Sequence, residues 1–293
     1  MSRTTSLGVA AVRLVCATFS LSRQAYYAVG RRRPQQAAPA PPARPWASAE
    51  ELTATVQAVA EAHPGWGVRK VWAVLRRQGL VASHKRVWAV MHRLGLTLPP
   101  VAERREEAAR GHVTVADSNR RWATDLTTAW TRRDGVVALV PVIDCGDRFG
   151  LACAVTKSQE APAVLAPVGS SLWREFHRPE NVPDGLELRS DHGPQYTGAD
   201  CAALCTRWRL DHTLAPVGRP TGNAVAERFI LTLKLELLWT RDWESAAEVD
   251  QAVQQWLLTY NHQRPHQALG WQTPAERRAA NLANHTAAAL AAG

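Results

Sequence analysis

The chain has 293 residues, 46% of them hydrophobic, enough for one large domain plus a smaller one, or for three small units, with a real core. Its net charge of +9 is unevenly spread: residues 1–113 hold 17 Lys and Arg against 6 Asp and Glu, and the rest hold 18 against 20. Five cysteines without a Cys-x-x-Cys pair argue against a zinc site and a disulfide framework, and the apolar Leu7–Leu21 stretch is broken by Arg13 and too short to span a bilayer. A cytoplasmic protein whose basic front half binds a polyanion is expected.

In chain order, residues 1–30 read as a short helical segment with Tyr26 and Tyr27 on its second helix. A Pro/Ala/Arg-rich linker follows over 31–46. Ser48 with Glu51 signals the start of a helix running to about Ala62, and His63-Pro64-Gly65 breaks it. Val68, Val71, Trp72 and Leu75 then recur at helical spacing, with Gly79 as the stop. Ser83 caps a further helix with Val87, Val90, Met91 and Leu94 on one face and Gly95 at its end. Residues 47–97 thus form a helix-turn-helix pattern with Ser83–Leu94 as the candidate recognition helix. Arg69, Lys70, Arg76, Arg77, Lys85, Arg86 and Arg93 crowd the outer faces and are the candidate DNA-binding residues.

After a second linker over 98–113 the period changes. Arg121–Thr131, Val136–Cys145 and Phe149–Thr156 read as three strands, followed by a helix over about Glu160–Phe176 and a strand ending at Asp191. A helix around Ala199–Trp208, a short strand near His212–Leu214 and a helix from Asn223 to Leu238 complete a core over 114–241. A C-terminal helix and tail fill 242–293. Three antiparallel strands followed by αβαβα is the order of a ribonuclease H-like α/β fold. Such a core would set Asp191 against Asp125, with Glu227 approaching from its helix.

A triad of that kind suits an enzyme that holds two divalent cations and cuts or joins phosphodiesters. Magnesium favours oxygen ligands; Asp125 is the natural bridging ligand, and Asp191 and Glu227 complete one site each. Lys234, seven residues after Glu227, falls on the same helical face and is placed to hold a DNA backbone. Asp144, beside Ile143 and Cys145, reads as a supporting acid rather than a ligand.

These motifs resemble those of transposases encoded by the second reading frame of IS-three-type insertion sequences, whose core is similar to the retroviral integrase catalytic domain. The residues carrying the likeness are Gly65–Trp72, Trp122–Thr127, Val142–Asp144, Ser190–Tyr196, Asn223–Phe229 and Tyr260–Gly270 with Thr273-Pro274. The resemblance implies an integrase-type core in which Asp125, Asp191 and Glu227 act in magnesium-dependent strand transfer, with manganese able to replace magnesium. It also implies double-stranded DNA partners (terminal inverted repeats and target), a homo-oligomer on DNA, fusion to the upstream frame's product, no membrane, and a bacterial cytoplasmic setting. Gly222 and Arg228 depart from much of the family, which has Asp and Ser there. Two other readings stay open: a ribonuclease H-type nuclease, and an inert DNA-binding regulator.

Overall fold

The structure, a computed structural model, describes residues 46–99, 115–216 and 223–292, and residues 46–293 form one compact unit. The expected N-terminal helices, nearly all of the first linker and most of the second lie outside the described residues. Three helices come first: α1 (Ala49–Ala62), α2 (Val68–Arg77) and α3 (His84–Arg93). Ser48 Oγ accepts from the Glu51 amide and Ser83 Oγ from the Arg86 amide, so each hydroxyl satisfies a donor that its helix leaves open. The chain leaves α2 and α3 through Gly79 at φ +90° and Gly95 at +69°, a left-handed geometry open to glycine. Val56, Val71, Leu75, Val87 and Met91 form a core of this module's own. Trp72 lies only partly within it, and its Nε1 donates to Ala82 O.

The larger module is a six-stranded sheet: β1 (Arg121–Thr124), β2 (Thr127–Thr131), β3 (Gly135–Asp144), β4 (Gly150–Thr156), β5 (Glu187–Ser190) and β6 (Asp211–Leu214). Antiparallel β3 separates β4 from the β1/β2 line, and β5 and β6 continue in parallel on β1's other side. This is the ribonuclease H-like order expected.

The single strand expected over Arg121–Thr131 is interrupted at Asp125-Leu126. Thr124 pairs with Val142 and Thr127 with Leu139, so the register runs through unchanged and sets Pro141 opposite Asp125. Proline has no N–H to give the ladder. The Leu126 amide donates to Asp125 Oδ1 at 2.8 Å.

Alternation along β3 feeds two cores. Val140 and Val142 join Trp122 and Leu188 against α4 (Ala161–Phe176) and, past the four-residue α5 (Pro194–Thr197), α6 (Ala199–Trp208). Leu139 and Ile143 pack on the other face against α7 (Ala224–Leu233) and α8 (Ala246–His262), where Phe229 meets Trp256 and Tyr260 edge-on. The helix expected to run from Asn223 to Leu238 stays α-helical only to Leu233; Lys234–Leu238 widens into a π-turn. No helix among the described residues is long and apolar enough to cross a membrane.

The C-terminal helix α9 (Pro274–Ala292) is anchored by Arg278, 7% exposed. Its guanidinium donates to Asp144 at 3.1 Å, Asp147 at 2.8 Å, Glu175 at 2.5 Å and Asn119 Oδ1 at 3.1 Å. Burial opposes that charge, but Asp147, Glu175 and Asp144 more than offset it and hold Arg278 above its ordinary range. Burial and the neighbouring Asp147 push Asp144 upward. Asp144 is therefore a structural acid, spent on the tail. Replacing Arg278 by Met leaves two buried carboxylates without their cation, and a loss of about 3–5 kcal/mol in urea denaturation is expected. A variant as stable as the parent would contradict this account of the anchor.

Candidate active site and nucleic-acid interface

The β1/β5 register builds the site. Arg121 pairs with Glu187 and Ala123 with Arg189, and just past the ends of both strands Asp125 and Asp191 come near enough for Asp191 to raise Asp125. Asp191 opens a tight turn in which its Oδ1 accepts from the Gly193 amide at 2.9 Å. The His192 ring meets Ala215 O at 2.7 Å and ties that turn to the end of β6. Glu227 lies in the first turn of α7, exposed, and the helix start is pinned by Asn223, whose Nδ2 donates to Thr124 O at 3.1 Å. Buried Tyr196 comes within 3.3 Å of the Thr124 hydroxyl. Asn223 and Tyr196 thus fix the backbone one residue before Asp125; no local pattern marks either as a positioning group, because their partner lies 99 and 72 residues away.

The three carboxylates bear on one another. Burial raises Asp125 most, Asp191 and Glu227 add to it, and the Leu126 amide and Lys234 oppose them, leaving its pKa at about 6. Lys234 therefore reaches this field despite the π-turn, with its ammonium 5.8 Å from the Trp239 ring. Three hard oxygen donors at the ends of rigid elements, one of them raised by burial and by the others' charge, fit a divalent cation that would relieve the repulsion.

The basic residues of the helical module divide into two groups. Arg69, Arg76, Lys85 and Arg93 are exposed, although Arg76 lies over the Trp72 ring and Arg93 donates to Thr53. Lys70, expected on an outer face, instead points at the core and pairs with Glu236 at 3.0 Å. Arg264 grips the same carboxylate through Nε and Nη2. Burial and the charge of Arg264 hold Lys70 below its ordinary range against the pull of Glu236. Arg264 and Lys70 together keep Glu236 below the usual carboxylate range, although burial opposes them. Gly65 packs so closely on Glu236 that a Cβ there would come within 2.9 Å of its side chain. Arg77 forms a two-bonded ion pair with Glu276, and Arg86 donates to Ala47 O. Between α2, α3 and the tail lies an open cleft of about 640 Å³, lined by Val68, Arg69, His84, Lys85, Trp88, Gln267 and Trp271.

Residues 116–220 and 194–274 each match a family model described as an integrase core domain, together spanning more than half of the chain. Residues 47–105 match an HTH-like domain. The chain is 28% identical over 222 residues to the InsD transposase of insertion element IS2 from Escherichia coli, covering 73% of each. It belongs to the integrase core domain family and is similar to insertion-sequence transposases. Among solved structures, the chain is similar to the catalytic core domain of BIV integrase, at 22% identity, with 57% of this chain and 97% of that one covered and a TM-score of 0.43. The HTLV-2 integrase core in complex with magnesium matches at 14% identity over 56% of this chain and 99% of that one, with a TM-score of 0.41.

The raised Asp125 pKa gives a stability test for this core. Above pH 6 the folded, metal-free protein carries the cost of a charged Asp125; that cost shrinks as pH falls through 6 and vanishes below the unfolded value of 3.8. In EDTA at pH 8, Asp125→Asn is therefore expected to stabilise the chain by on the order of 2–3 kcal/mol in urea denaturation, with the gain gone by about pH 4. A pH-independent effect, or none, would remove the electrostatic account.

Proposed function

We propose that this chain catalyses metal-dependent DNA strand cleavage and strand transfer at the ends of an insertion sequence, with Asp125, Asp191 and Glu227 as its catalytic carboxylates. The observation that carries the reading is the meeting of Asp125, Asp191 and Glu227 in one electrostatic field, from two neighbouring parallel strands and a helix pinned to them. Family membership points the same way.

The three carboxylates would hold magnesium, two ions by the donor count, with manganese able to replace it. Bound there, the metal activates the attacking oxygen and neutralises charge on the leaving one. The chain's own residues keep the carboxylates in place: Asn223 fixes the helix bearing Glu227, and the Gly193 amide and the His192–Ala215 contact set the turn bearing Asp191. Lys234 would steady a phosphate beside Asp125. No side-chain nucleophile is required, because a water and then a freed 3′-hydroxyl serve in turn.

Duplex DNA is the proposed partner, terminal inverted repeats first and target second, bound by an oligomer and with the upstream frame's product fused. Its contact surface is the cleft between α2, α3 and the tail, where Arg69 and Lys85 supply charge and half-exposed Trp88 an apolar face. The deciding assay incubates duplex from the gene's own flanks with magnesium or EDTA. Nicks bearing 3′-hydroxyls, lost in EDTA and reduced at least about 100-fold in Glu227→Gln, are expected. Cleavage that survives the substitution would end the assignment. Binding without cleavage, even with the upstream product added, would favour the inert regulator.

The division among the basic residues gives a separate test. Lys85→Ala is expected to reduce the slope of log affinity against log salt by about 1, because one phosphate contact is lost. Lys70→Ala should leave that slope unchanged while lowering stability, since its charge is spent on Glu236. Equal slopes for the two variants would contradict the assignment.

A further inference from the structure

Cys201 and Cys205 lie one helical turn apart on α6, and both are buried. The helix ends at Arg209 in the left-handed conformation, where the Leu210 amide bonds back to Cys205 O at 2.9 Å, and the chain reverses into β6. That reversal carries His212 back beneath the two thiols. One ligand atom from each of the three residues lies within 4.8 Å of the others, and Cys201 Sγ is 4.0 Å from His212 Nε2. A tetrahedral zinc ion with ordinary Zn–S and Zn–N bonds needs its ligand atoms about 3.5–3.8 Å apart, so closing the site takes shifts below about 1 Å. We propose that Cys201, Cys205 and His212 bind a borderline-soft divalent cation of the zinc class, at a site separate from the carboxylates.

The donor set selects the metal. Two thiolates and an imidazole favour zinc, whereas magnesium is held by oxygens. The surroundings suit a structural site: Leu188, Tyr196 and Trp208 belong to the same buried cluster as the two cysteines. The fourth position is bordered by Ser190, whose Oγ lies 3.0 Å from the same His212 Nε2. Ser190 immediately precedes Asp191, so a cation here would brace the end of the strand that presents that carboxylate. Binding releases the thiol protons of both cysteines and changes no oxidation state. The spacing Cys-x3-Cys with a histidine seven residues on falls outside the Cys-x-x-Cys pattern, and only the reversal after α6 makes it a cluster.

The test uses the full chain, apo and then reconstituted, and does not depend on strand transfer. Titration with cobalt(II) in magnesium buffer is expected to give the thiolate charge-transfer band and intense visible absorption of tetrahedral cobalt–thiolate, saturating at about one equivalent. Zinc should displace it. Glu227→Gln should titrate like the parent, and Cys205→Ser should bind zinc at least about 100-fold more weakly. A parent protein that gives no thiolate–cobalt band and retains no zinc after desalting overturns the proposal, whatever the variants do. A band that persists in a folded Cys205→Ser variant overturns it as well.

Discussion

Two adjacent parallel strands in fixed register govern this molecule, because they force two acids at their ends into each other's field. Once β1 and β5 pair as they do, Asp125 and Asp191 cannot avoid one another, and α7 adds Glu227 to the same place. A fold left to minimise its own free energy would not choose this arrangement. It is held by polar contacts of Thr124, one residue from the strain. Its carbonyl takes Asn223 and its hydroxyl meets Tyr196, so the helix and the turn are both indexed to the strand that carries the buried acid.

A second polar system does comparable work two residues further along β3, at its C-terminal end. Arg278 gathers Asp144, Asp147 and Glu175, while Asn281 reaches Ala116 O and the Ser118 hydroxyl. Residues beyond 241 are thus structural members of the sheet's surroundings. Asn261 makes the same point in smaller form, exchanging hydrogen bonds with both the amide and the carbonyl of Gly150.

Where the signal was local, the sequence was legible. Ser48, Ser83, Gly79 and Gly95 announce helix ends through their own backbone chemistry, and the three helices fall where their apolar spacing put them. The order of strands and helices was enough to recognise the sheet and to set Asp125 against Asp191. Long-range partners were invisible. Pro141 interrupts a strand on the opposite side of a hairpin, so nothing within Arg121–Thr131 itself announced the break. Lys70 and Arg77 looked like the rest of a basic face, yet their acids stand 166 and 199 residues away. A helical period reports that a residue faces outward from its own helix; it does not report what waits there.

Glu236 sits where the widened turn after α7 meets both Lys70 of the helical module and Arg264 of the tail. The helix bearing Glu227 runs directly into that turn. A buried carboxylate shared by two cations resists slipping, since any displacement strips a charge of its partner. The module carrying Arg69 and Lys85 is therefore geared to the helix carrying Glu227. On the proposed reading, the residues that grip the duplex and the carboxylate at the bond to be cut are held at a fixed spacing by the protein.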